Sequence, residues 1–219
     1  MTEMLEVVTH DGSPTGRLRT RAEIHRNGEW HCTRTVWVVL MRETGGPALV
    51  LQQRGLSKET WAGLLDASSA GHLVSGDTYP WRELEEEIGL GAPSGPLLEL
   101  GTRRTTVFHP DGLIDREHQN LWLWLAPNDL RDLLPPPDEI EALISIELAA
   151  VQPFCTMTPA SVPGRRLAAS TGQVVSTHAR HDQLAPGIAP YLHQVAGLAW
   201  RAIQGERDLR YNERLDLLR

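Results

Sequence analysis

Apolar and polar positions fall along this chain in blocks that predict strands and helices. LEVVTH (5–10) is a short β-branched run and predicts a first strand, and DGSPTG (11–16) follows it with turn-forming residues. RTVWVVLM (34–41) and ALVLQQR (48–54) flank RETGG, which predicts a hairpin. LLELGTRRTTVF (97–108) and LWLWLA (121–126) predict a second pair, joined by the polar loop HPDGLIDREHQN. LWLWLA lacks alternation, as expected of a strand buried on both faces. DEIEALISIEL (138–148) fits helix or strand, and the alternation of Ile140, Ala142, Ile144 and Ile146 favours strand. TPASVPGRRLAASTGQVVSTHARHD (158–182) reads as irregular, whereas 189–219 has the periodicity of one or two closing helices.

Between the two strand pairs lies GHLVSGDTYPWRELEEEIGL (71–90), which predicts a helix. Pro80 suits its first turn and Gly89 the position just past its end. Trp81, Leu84 and Ile88 recur at helical spacing on an apolar side, while Glu83, Glu86 and Glu87 share another face. Asp77, Glu83, Glu85, Glu86 and Glu87 crowd eleven residues. A solvated helix face is the ordinary meaning of such a run. Like-charge repulsion makes the cluster costly, however, unless a cation sits among the carboxylates. Magnesium uses a few carboxylates and leaves its other positions to water and phosphate oxygens.

Composition narrows the class. The 219 residues, 41% hydrophobic and 22% charged, suit a soluble globular protein with one substantial core. A net charge of −7 argues against a nucleic-acid polymer or membrane surface as partner. No window predicts a membrane span, and the start shows no signal-peptide pattern. Two cysteines, Cys32 and Cys155, make no disulfide framework, so a cytoplasmic location is expected.

The stretch from Gly71 through Asp77 to Arg82-Glu83-Leu84-Glu85-Glu86-Glu87-Ile88-Gly89-Leu90 resembles the Nudix box. The resemblance implies an α/β/α sandwich with a mixed sheet in residues 1–150, and the periodicity beyond it predicts a mainly helical extension over 151–219. It further implies cleavage of diphosphate linkages with magnesium or manganese, the metal held by Glu83, Glu86 and Glu87 beside the Gly71 carbonyl, with Arg82 as an orienting ion-pair partner. The chain departs from the motif twice. Asp77 replaces a glutamate, and four residues rather than seven separate it from Arg82. Three helical residues are about 4.5 Å of rise and roughly 300° of rotation. A helix anchored by Trp81, Leu84 and Ile88 loses only its first turn to this deletion.

Segments 19–39, 49–72 and 114–123 are similar to the Nudix branch related to isopentenyl-diphosphate isomerase. That resemblance matches His25, His31, His72, Asp115 and Glu117 to the isomerase metal ligands, and Arg21, Arg54 and Lys58 to diphosphate contacts. Ordinary surface charge is the alternative for the three cations, and a fold-bracing role for His25 and His31. Ala70 stands at the catalytic cysteine's position and cannot move a proton, which favours hydrolysis over isomerisation. His72 is expected to contact substrate. Glu117, in the polar loop, is the candidate general base, with a solvated carboxylate as its alternative. Trp61 is placed to stack on a base or an isoprenoid. The expected partner is a small diphosphate compound, nucleoside di- or triphosphates first and isoprenoid diphosphates next. A non-catalytic Nudix-fold binding protein is the third alternative, because of the shortened box. The extension is expected to pack on the domain or to form a homodimer surface.

Overall fold

The computed structural model describes residues 3–58, 60–76, 79, 81–109, 112–156 and 161–213. Its strands are β1 (Met4–Val8), β2 (Pro14–Thr20), β3 (Trp30–Leu40), β4 (Ala48–Arg54), β5 (Leu65–Asp66), β6 (Ser69–His72), β7 (Leu97–Phe108), β8 (Ile114–Ala126), β9 (Ile140–Glu147), β10 (Ser161–Ala168) and β11 (Val174–Arg180). The helices are α1 (Arg21–Asn27), α2 (Arg82–Ile88), α3 (Leu148–Thr156) and α4 (Ile188–Ile203). All the strands join one mixed sheet, with a main path β11-β10-β9-β4-β3-β1-β2. β3 runs parallel to β8, β7 pairs antiparallel with β8, and β6 pairs antiparallel with β3.

The central sheet is buried on both faces, which is why the distal halves of β3 and β8 are continuous apolar runs. On one face Trp37, Val39, Leu121 and Leu123 pack with α3 and α4. On the other, Val36, Val38, Val50 and Trp124 pack with Leu84 and Ile88 of α2. The chain is therefore the expected α/β/α sandwich with a mixed sheet.

Two local expectations change, and the closing helix is found. The polar loop expected over 109–120 is mostly strand, since β8 begins at Ile114. Asp115, Glu117 and Gln119 face a polar cleft instead of a core, and the residues between them are polar too, so the stretch looks loop-like. The segment read as irregular over 158–182 holds the β10–β11 hairpin, which extends the sheet from β9. Leu167 and Ala179 are the buried hydrophobics of that hairpin, so it leaves almost no apolar period to read. After α4, residues 206–212 are irregular, and the Tyr211 N–H donates to the Leu100 carbonyl at 2.9 Å. Among the described residues, α4 is the one helix of 189–213.

α1, which the periodicity did not predict, starts at a capping box. The Thr20 side chain accepts from the Glu23 N–H, and the Glu23 carboxylate accepts from the Thr20 N–H. This short helix brings His25 over the start of β3.

Candidate active site

A cavity of about 1880 Å³ opens at the polar ends of β3, β7 and β8. On the face that α4 covers further along, pairing sets Thr105, Glu117 and His31 in one row across the sheet. Arg103, Gln119, Thr33 and His72 form the next row. The same strands thus supply a polar cleft at one end and the core at the other.

α2 reaches this cleft through core anchoring. Its helical conformation begins at Arg82, with Trp81 as the cap and Gly89 closing the end in the left-handed conformation. Leu84 and Ile88 are buried, and Trp81 packs edge-on against Trp122 at 5.7 Å between centroids. Core side chains thus hold the helix that carries Glu83, Glu86 and Glu87. Asp77 and Pro80 lie outside the described residues.

Glu83 lies directly over Gly71, where an added Cβ would come within 2.1 Å of the Glu83 Cδ. Glu87 is buried and accepts from the Ala70 N–H at 2.8 Å and from Gln52 Nε2 at 3.4 Å. Burial pushes both carboxyls up to about 7, against the Arg82 charge at Glu83 and the Ala70 hydrogen bond at Glu87. Glu86 is exposed and paired with Arg82 at 2.8 Å. Arg82 also pairs with Glu83 and donates to the His72 carbonyl at 3.5 Å. The helix therefore presents Glu83 and Glu87 to the cleft floor, while Arg82 holds Glu86 at the rim.

The tightest convergence lies beside it. The ligand atoms of His25, His31 and His72 lie within 4.8 Å of one another, as do those of His31, Asp115 and Glu117. His25 Nε2 and His31 Nε2 are 3.6 Å and 3.7 Å from Asp115 Oδ1. Both ring nitrogens of fully buried His31 lack a hydrogen-bond partner, as do His72 Nε2 and Asp115 Oδ1. Burial pushes His31 down to about 4, with Asp115 opposing, and holds His72 well below the usual histidine range. Burial, reinforced by Asp115, pushes Glu117 up to about 8, while Gln119 Nε2 donates to it at 2.6 Å. Neutral imidazoles with unused lone pairs beside carboxylates form a donor set suited to a divalent cation.

The expected phosphate contacts separate. Arg21 lines the cavity and has no ion pair among the described residues. The Arg54 guanidinium is committed to the Thr60 carbonyl at 3.0 Å and Asp66 at 3.2 Å, and Lys58 pairs with Glu139. Arg54 thereby secures the loop that places Trp61 at the cleft with φ 52, where its ring lies 6.5 Å from that of His109.

Periodicity and motif missed several lining residues. Glu3 sits 3.6 Å from His72 Nδ1, and Tyr191 of α4 stacks on the Arg103 guanidinium at 4.5 Å. Neither belongs to a local motif, because sheet pairing and helix docking bring them in from distant segments.

Residues 32–162, more than half of the chain, match the NUDIX domain family. An uncharacterized Nudix hydrolase of Clostridium acetobutylicum is 32% identical over 154 residues, covering 69% of this chain and 73% of the relative. Nudix hydrolase 3 of Arabidopsis thaliana is 33% identical over 168 residues, covering 74% of this chain but 21% of that longer relative. The crystal structure of DR0079 from Deinococcus radiodurans superposes with a TM-score of 0.51 at 16% identity, covering 69% of this chain and 87% of that one, a likeness of fold alone. With the box helix seated on Gly71, and with the family match spanning the sheet and that helix, the chain belongs to the NUDIX domain family and is a Nudix hydrolase.

Proposed function

We propose that the chain is a cytoplasmic, magnesium- or manganese-dependent enzyme that hydrolyses the diphosphate linkage of nucleoside di- or triphosphates or related diphosphate compounds. The observation that carries this reading is one cavity lined by Glu83, buried Glu87, His72, Asp115 and Glu117, at which His72 Nε2, Asp115 Oδ1 and both ring nitrogens of the neighbouring buried His31 have no hydrogen-bond partner. Such groups are costly to bury without a ligand. Free thiols at Cys32 and Cys155 suit a reducing compartment.

Among the described residues, the histidine and carboxylate atoms that already converge within 4.8 Å are those of His25, His31 and His72 and of His31, Asp115 and Glu117. Glu86 of the helix trio is turned to Arg82 and would have to leave it to join Glu83 and Glu87. Glu83, Glu86 and Glu87 would hold one cation beside the Gly71 carbonyl, and His25, His31, His72, Asp115 and Glu117 would hold another. When bound, the cation supplies charge neutralisation at the diphosphate oxygens and acidifies water. The chain's own groups do the rest. Arg82 orients Glu83 and Glu86, and Arg21 holds a phosphate oxygen, with Lys58 as a second contact once it leaves Glu139. Arg54 acts through the loop it secures. Glu117 takes the proton of the attacking water once it is itself ionised. His72 turns toward the substrate from the row beside Gly71.

The test is a panel of diphosphate compounds with each metal, reading phosphate and organic product separately. Glu87→Gln should lower turnover at least about 100-fold, the upper end of what losing a mere outer-shell partner costs. A variant as fast as the parent would overturn the reading. The five-residue cluster also favours a second reading, isomerisation of isopentenyl diphosphate. Ala70, whose N–H serves Glu87, offers no proton donor for it. Conversion to dimethylallyl diphosphate without phosphate release would establish that alternative. Metal-dependent turnover absent across the panel, with nucleotide binding retained, would leave a binding protein.

A further inference from the structure

Behind the candidate base, a chain of contacts runs from the core under α4 to the reaction centre. Arg103 on β7 and Gln119 on β8 face each other in register, and Gln119 stands two residues beyond Glu117 on the same side of its strand. Arg103 Nη1 donates to Gln119 Oε1 at 3.0 Å, and Gln119 Nε2 donates to Glu117 Oε2 at 2.6 Å. The Tyr191 ring lies over the Arg103 guanidinium at 4.5 Å, within cation–π range. That ring is itself fixed, packed edge-on against Trp37 at 4.9 Å and Tyr211 at 5.1 Å. Tyr191, Arg103, Gln119 and Glu117 all line the cleft.

The polarity of this chain is set by chemistry. A guanidinium only donates, so it draws the carbonyl end of the Gln119 amide toward itself and turns the amino end to Glu117. The amino end only donates as well, so Glu117 Oε2 accepts. That bond ties down one carboxylate oxygen and with it the rotation of the group. The restraint matters because Asp115 and Glu117 both converge on His31, with ligand atoms within 4.8 Å of one another. Two ionised carboxylates so close repel, and an untethered one would swing away.

We propose that Arg103 and Gln119 are positioning residues that hold the Glu117 carboxylate in its catalytic orientation, with Tyr191 of α4 clamping Arg103. The inference rests on the role given to Glu117 above and deepens it. It also makes α4, whose Ile188 and Tyr191 line the cavity, a wall of the cleft that acts on the site.

Two double-mutant cycles on the full chain test this, each variant read by manganese affinity in calorimetry and by kcat and KM on a diphosphate that wild type hydrolyses. Gln119→Met keeps the length of the side chain and removes its amide. It should weaken manganese binding and lower kcat, each about 10- to 100-fold, the cost of losing the partner that orients a ligand, with KM changed less than about two-fold. Added to Glu117→Ala, the same substitution should cost less than about two-fold more, because it acts through Glu117. Arg103→Met should behave like Gln119→Met, and the two together should lose less than about two-fold more than either alone. If Arg103→Met does not fold, the Gln119 cycle decides alone. Additive losses would make the pair a brace between the sheet and α4 and overturn the proposal, as would unchanged manganese affinity and kcat in Gln119→Met. A wild type that hydrolyses no diphosphate, with manganese affinities that follow both cycles, would instead sink the hydrolase reading and leave the positioning role standing.

Discussion

At the scale of residues, the box was legible because its chemistry is local. Glu83, Glu87, Arg82 and Gly71 lie within one short stretch, and the structure seats the first of them over the last. Gly71→Ala should therefore separate fold from function. The atoms a Cβ would strike belong to the flexible Glu83 side chain, so melting should shift little while metal-dependent turnover falls at least about ten-fold. A variant with full activity would show that Glu83 need not sit there. The pKa shifts carry a second expectation. Glu83, Glu87 and Glu117 are raised above their unfolded values, so their stabilisation is complete below about pH 4.5 and is lost as pH rises through about 7 to 8. His31 and His72 are lowered, so theirs is present above about pH 6.5 and lost as pH falls toward and below 4. Between pH 6.5 and 8.5 the carboxyls alone act, and cation-free protein should lose stability, on the order of 1–3 kcal/mol. Calorimetry in chelator should show this fall, and magnesium or manganese should reduce it. A flat profile in chelator would contradict the burial of these carboxyls.

At the scale of elements, legibility followed what each side chain faces. β4 and β7 were read with their observed bounds because apolar period and turn residues coincide there. The first half of β8 was hidden because a strand bordering a polar cleft carries loop-like residues. The β10–β11 hairpin was hidden because its hold on the sheet is largely backbone pairing plus one buried ion cluster. There Glu43 accepts from the Leu130 N–H at 3.1 Å and from Ser145 Oγ at 2.9 Å and pairs with Arg165. α2 shows the converse: a seven-residue helix too short to stand alone, fixed by two buried apolar side chains, Leu84 and Ile88. Leu84→Ala should cost about 2–5 kcal/mol in urea unfolding and lower turnover in the surviving folded protein, since the same contact positions Glu83 and Glu87. An unchanged unfolding midpoint would mean that the helix is held by something other than the core.

At the scale of the whole molecule, the segment after residue 150 shares the main core with the sheet. Ile188, Tyr191, Leu192, Val195, Ala196, Leu198, Ala199 and Ala202 of α4 lie in one apolar cluster with Trp37, Leu121 and Leu123. The sequence showed this segment as periodic but motif-free, which is what a helix spent on packing looks like, and no local pattern could have shown which face of the sheet it covers. A chain ending at residue 150 would expose that face, at roughly 1.5–3 kcal/mol for each large side chain no longer covered. Such losses exceed the whole stability of an ordinary domain. The truncated chain should therefore be insoluble or lack a cooperative melting transition, whereas the intact chain should show one transition spanning sheet and α4. If the fragment instead melted cooperatively and kept the diphosphatase activity proposed for the intact chain, the extension would be an accessory to a self-sufficient catalytic domain, and α4 would not be needed as the wall of the cleft.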